Sequence, residues 1–139
     1  MEGEAINDGE YKFPVCFRPN RILCHGSRCG TEVADLATRF LLVPYTDAIG
    51  TDLFPKEERL IKFDFRKRND EWVGQFDLIY SNSLDHTDEP DATIKVWLEQ
   101  LSPKGCLVLC RTPWHAKVRS GDCFGATLDE YWDWLSARS

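Results

Sequence analysis

The chain has no apolar run approaching the length of a bilayer span, and its opening Met-Glu-Gly-Glu-Ala has neither the basic nor the apolar region of a secretory signal. Neither membrane insertion nor secretion is expected, and the pattern reads as cytoplasmic. Basic charge is also in deficit: 17 Lys and Arg stand against 23 Asp and Glu, a net charge of -6. Duplex nucleic acid is bound largely by neutralising phosphates, so this balance argues against such a partner. The local run Arg66-Lys67-Arg68 reads as a solvated turn. Cysteines at metal-ligand spacing are missing as well. The six (Cys16, Cys24, Cys29, Cys106, Cys110 and Cys123) include no Cys-x-x-Cys pair and no zinc-finger spacing. They read as small hydrophobes in a reducing compartment, with a metal site or a disulfide as the alternative. Cys106 and Cys110 lie an even number of residues apart and so fall on one strand face. Repeats and low-complexity linkers are absent too. What remains is one domain: 139 residues, 42% hydrophobic and 29% charged. Within it, 1–19 reads as a partly disordered N-terminal arm and 20–139 as the folded unit.

What is present begins with Arg-Ile-Leu-Cys-His-Gly-Ser-Arg-Cys-Gly-Thr-Glu from Arg21 onward. It predicts a strand over 21–24, a loop holding Gly26 and Gly30, and a helix with Val33, Leu36, Ala37, Phe40 and Leu41 on one face. Pro44 stops that helix. Strand, glycine loop and helix in this order open many nucleotide sites at the carboxyl ends of parallel strands. A second strand is predicted over 48–52 and a third over 60–65. Few residues separate them, so an intervening helix is a single turn or absent. A turn-rich stretch leads to a buried strand over 76–80 and a polar loop over 81–86. Asp88-Glu-Pro-Asp is a helix start, carrying an apolar stripe of Ile94, Trp97, Leu98 and Leu101. Ser102-Pro-Lys-Gly ends it before a fifth strand over 106–110, apolar enough to be buried on both faces. Pro113, Trp114, His115 and Gly121 mark a loop. Thr127 and Glu130 form a capping box for a last helix with Leu128, Tyr131, Trp132 and Leu135 on one side. The alternation predicts an α/β domain with a largely parallel sheet.

With these elements placed, the chain resembles a class I S-adenosylmethionine-dependent methyltransferase. The ordered motifs lie over 74–109: a Phe-Asp-x-Ile strand, Asp-His followed by Pro, an amphipathic helix, then a Pro-x-Gly turn into the next strand. Leu-Cys-His-Gly-x-Arg, Gly-Thr-Asp, Tyr-Ser-Asn-Ser-Leu-Asp-His and Phe-Gly-Ala narrow the resemblance to small methyltransferase-like proteins. It covers roughly 21–131. The resemblance implies a Rossmann-like, doubly wound, mostly parallel five-stranded sheet of order 3-2-1-4-5. Helices would lie on both faces, without the usual terminal β-hairpin.

It further implies S-adenosylmethionine as cofactor, S-adenosylhomocysteine as product, and a cofactor loop of Cys24, His25, Gly26, Ser27, Arg28 and Gly30. The general family has an acidic residue, which helps hold the cofactor's ammonium group, where Cys24 stands, and glycine where Arg28 stands. Asp52, with Leu53 after it, matches the carboxylate that accepts both ribose hydroxyls; capping the turn into Pro55 is the alternative. Asp64 and Phe65 match adenine contacts, Phe65 having a core position as its alternative. Ser81, Asn82 and Leu84 line the methionine and methyl end. Asp85 and His86 are the carboxylate–imidazole pair for catalysis, His86 as general base or as a structural cap. His25 and His115 read as loop-ordering residues. The acceptor half is thin, and the sheet edge is open for a second copy or a partner protein to cover. Three readings result: a minimal methyltransferase with an unidentified acceptor, a non-catalytic domain binding the cofactor or a protein, and another nucleotide-binding fold. The third lacks Gly-x-Gly-x-x-Gly.

Overall fold

The computed structural model describes residues 19–40, 47–110 and 128–138. The fold is built around β1 (Ile22–His25), whose four residues are all buried. An apolar strand of this kind suits a position with hydrogen-bonded neighbours on both sides. Those neighbours are β2 (Ala48–Asp52) and β4 (Phe76–Ser81), both parallel to β1. A short β3 (Ile61–Lys62) lies outside β2 and β5 (Leu101–Leu109) outside β4. The order is β3-β2-β1-β4-β5 and every pairing is parallel, a Rossmann-like α/β sheet.

Alternating side chains divide the core between the two faces of the sheet. Ile22, Cys24 and Leu78 pack with Leu60 and with Val33 of α1 (Thr31–Phe40). On the opposite face Leu23 and Ile79 meet Trp72 and Phe76, with Leu107 at the margin. Leu107 continues into a third group, where Leu84 packs with Ile94 and Trp97 of α2 (Pro90–Gln100). Trp134 and Leu135 of α3 (Leu128–Ser136) join that group. Helices therefore cover both faces. Trp97 is fully buried and its indole N–H donates to the Phe65 carbonyl at 2.9 Å, which satisfies the one polar atom of a large apolar ring.

Several boundaries differ from the sequence expectation. β1 and β4 each run one residue further, to His25 and Ser81. β3 has two residues instead of six. Leu60 turns inward as a core residue, and Asp64 begins a tight turn by accepting the backbone N–H of Arg66 at 3.0 Å. The 53–60 segment between β2 and β3 contains no helix, as its length required. α2 begins at Pro90, after Thr87 Oγ1 accepts the N–H of Glu89 at 3.0 Å. The Ser102-Pro-Lys-Gly turn lies inside β5 and not before it. Phe76 pairs with Leu101 and Leu78 with Cys106, so residues 102–105 bulge from the ladder. β5 is half-buried, not enclosed on both faces, because it ends the described sheet.

Among the described cysteines, Cys24, Cys29, Cys106 and Cys110 are free thiols. No helix of the described residues is long and apolar enough to cross a membrane. All but the last residue of the expected arm over 1–19, the Pro44 stop, Cys16, Cys123, the Pro113–Gly121 loop with Trp114 and His115, the Phe-Gly-Ala motif and the Thr127 cap lie outside the described residues.

Candidate functional site

Between β1 and β4 the strand order reverses, and at their carboxyl ends an open cleft of about 450 Å³ lies between the two following loops. Gly26, Ser27, Arg28 and Cys29 form one wall with Thr31 and Glu32 of α1; Asn82, Ser83 and His86 form the other.

The glycine loop is fastened by its own polar groups. Ser27 turns inward, its N–H donating to the Thr51 carbonyl at 2.9 Å and its hydroxyl to the Cys24 carbonyl at 3.1 Å. Gly26 has φ +71°, and a Cβ there would stand 2.5 Å from Ser83 Oγ. Ser83 uses that space: its hydroxyl lies 3.3 Å from the Gly26 carbonyl and 2.9 Å from Asn82 Oδ1. Its N–H donates to Ser81 Oγ, whose hydroxyl donates to the His25 carbonyl at 3.0 Å. The loops after β1 and β4 are thus tied together under the cleft.

Arg28 has φ +34°, the left-handed region that favours glycine. The residue is held from both sides by the loop after β2, its N–H donating to Asp52 Oδ2 at 3.0 Å and its carbonyl accepting from Lys56 at 2.9 Å. Asp52 Oδ1 accepts from Phe54 N at 2.9 Å. Asp52 therefore caps its turn while each carboxylate oxygen keeps a lone pair. Leu53 and Phe54 beyond it are 47% and 77% exposed.

The remaining sequence candidates divide by burial. Cys24 has no exposed surface and packs on the α1 face. Burial, with a smaller push from the Glu32 charge, raises its thiol to about 12. His25 is also a core residue. Its ring stacks on Trp97 at 4.9 Å, with Nδ1 2.9 Å from Thr51 Oγ1 and Nε2 2.9 Å from Gln100 Oε1. Because Oε1 only accepts, Nε2 carries the proton and the Thr51 hydroxyl donates to Nδ1. Burial lowers this imidazole to about 4, against a smaller opposing effect of the Gln100 hydrogen bond. Cys24 and His25 thus belong to the buried strand β1 and are not on the cleft lining.

Asp64 and Phe65 are likewise engaged internally. Arg66 donates from Nε and Nη2 to the Asp64 carboxylate, and also pairs with Asp88 at 2.9 Å. That hydrogen bonding holds the Asp64 carboxyl below its usual range. Phe65 packs edge-on against Trp97 at 5.2 Å. Ser81 and Leu84 are buried. Asp85 is 5% exposed and lies outside the cleft lining, whereas its neighbour His86 is on that lining. The two residues share a 3-10 turn (Leu84–His86), and of the two His86 is the one on the cleft lining. Gly30 accepts the N–H of Ala34 at 3.1 Å and so starts α1.

Of the expected residues, the cleft gathers Gly26, Ser27, Arg28, Asn82 and His86; it adds Cys29, Thr31, Glu32 and Ser83. Glu32 carried a signal: an acidic side chain in the first turn of the helix that follows a glycine loop. Among the described residues no group of three His, Cys, Asp or Glu side chains is placed to hold a metal ion. No protein-family model matches the chain, and no curated protein is significantly similar to it.

Proposed function

We propose that this protein is an S-adenosylmethionine-dependent methyltransferase of the class I type, acting on an acceptor still to be identified. The observation that carries the reading is the place of the cleft, at the reversal point of a 3-2-1-4-5 parallel sheet and between a glycine loop and the Asn82–Ser83 loop. Crevices at such points are where open α/β sheets bind nucleotide-like ligands.

The residues fit that cofactor unevenly. Gly26 and Arg28 bend the loop so that the cleft stays open beside it. Asp52 retains one acceptor lone pair on each oxygen, the number a vicinal diol uses. Leu53 and Phe54 offer exposed apolar surface next to Asp52 for an aromatic base. Asp64 fits less well, because Arg66 occupies both of its oxygens. When bound, the cofactor supplies an electrophilic sulfonium methyl. The chain's own contribution is alignment, since displacement at that methyl gains most from orientation and needs no obligatory base. His86, exposed on the cleft wall, is the side chain placed to receive an acceptor proton where one is released.

Calorimetric titration with S-adenosylmethionine, S-adenosylhomocysteine and NAD tests the reading. The two sulfur nucleosides are expected to bind and NAD is not. Asp52→Ala should weaken binding at least about tenfold, the scale of losing a charge-assisted hydrogen bond. Absence of binding to both nucleosides, or unaltered affinity in Asp52→Ala, would count against it. Binding without transfer in a labelled-methyl acceptor screen would leave the non-catalytic reading standing.

A further inference from the structure

We propose that Glu32 is the anionic partner of the α-ammonium group on the cofactor's amino-acid portion, an assignment that rests on the cofactor reading above. Glu32 stands in the first turn of α1, half-buried, with its carboxylate on the cleft wall. Its one hydrogen-bond partner is neutral: Asn82 Nδ2 donates to Oε1 at 3.2 Å. The amide is oriented by Ser83, whose hydroxyl donates to Asn82 Oδ1 at 2.9 Å. Among the described residues no lysine, arginine or histidine forms an ion pair with Glu32. A carboxylate fixed in a polar cleft, with a neutral donor on one oxygen and lone pairs to spare, is a receptor for a small hydrogen-bonding cation.

Among the described residues, no other carboxylate is on the cleft lining. Asp52 accepts from the backbone of Arg28 and Phe54 and is not on the lining, and Asp85 is buried outside it. The end of β1 offers no charge either, because Cys24 is a buried thiol. The cleft is thus supplied with negative charge from the helix and not from the strand. Arg28 is on the same lining, so the cleft that holds the Glu32 carboxylate also carries a positively charged residue.

The test titrates full-length wild type, Glu32→Gln and Glu32→Asp with three probes: S-adenosylhomocysteine, its deamino analogue, and 5′-methylthioadenosine. The deamino analogue lacks only the ammonium, and methylthioadenosine lacks the whole amino-acid portion. Glu32→Gln is expected to weaken S-adenosylhomocysteine about ten- to a hundredfold while leaving the other two within about twofold. Glu32→Asp should recover part of the loss. A merely structural role for Glu32 would lower the affinities of all three probes together, and that result overturns the assignment. So does unchanged affinity for S-adenosylhomocysteine in a folded Glu32→Gln. If wild type binds none of the probes, the cofactor reading itself fails, and Glu32 loses its role with it.

Discussion

His25 shows how much a single residue's role depends on what folds against it. Its imidazole is neutral, stacked on Trp97, and bonded at both nitrogens inside the core. The folded state holds it at about 4, whereas a free histidine titrates near 6.5. As pH falls, the unfolded chain takes up this proton first. The stabilisation is complete above pH 6.5 and is lost progressively down to about pH 4, amounting to about 3 kcal/mol. Urea unfolding at pH 7.5, 6 and 5 should show that decline, and His25→Gln should lack it, although it is less stable at neutral pH. Asp64 does not confuse the window, because its depressed pKa places its own loss below the ordinary carboxylate range. None of this was readable from His25 in the sequence. It lies next to a glycine loop, where a ligand contact is a reasonable expectation, and its true partners, Trp97 and Gln100, come from a helix far along the chain. Gly26, Ser27, Arg28 and Asn82 were legible as cleft-lining residues because they follow recognisable strands, and His86 because it closes the polar loop after β4. Ser83 and Glu32 were passed over because their importance arises where two loops meet.

At the scale of elements, the glycine loop carries two unusual backbone conformations with different consequences. Gly26→Ala must adopt φ +71° and also displace Ser83, so a loss of about 2–4 kcal/mol is expected, together with a disturbed cleft. Arg28 already bears the cost of a left-handed conformation, so Arg28→Gly relieves strain while adding unfolded-state entropy. Its stability should stay within about 1 kcal/mol of wild type. Urea midpoints of the two variants check the contrast. The elements themselves were largely legible. Apolar runs at Ile22 and Phe76, the helical stripe from Val33, and Ile94 with Trp97 each declare their period, and the structure places them accordingly. The misjudged elements lie at the margins. The alternation over 60–65 looked like a full strand, yet the Asp64–Arg66 turn ends the pairing after Lys62. The Pro-Lys-Gly segment looked like a terminator, yet β5 pairs on both sides of it.

For the whole molecule, the sheet order was an implication of the resemblance and not of any single strand, since propensity says nothing about which strand lies beside which. Once that order is set, β1 has no freedom: it is paired on both sides and packed on both faces. The 102–105 bulge is different. Leu101 and Cys106 hold their partners on β4, while Pro103 and Lys104 between them are exposed. The molecule therefore contains a joint where the chain can change length without changing its plan. One glycine inserted between Pro103 and Lys104 should cost less than about 1 kcal/mol, because closing a slightly longer loop is cheap. The same glycine inserted between Leu23 and Cys24 would exchange the two faces of β1 and carry His25 onto the side of α1. Thermal melts followed by circular dichroism should show a folded protein in the first case and none in the second. The 102–105 bulge is thus a tolerant address for growth of the chain, set near the start of β4 while the cleft lies beyond its end.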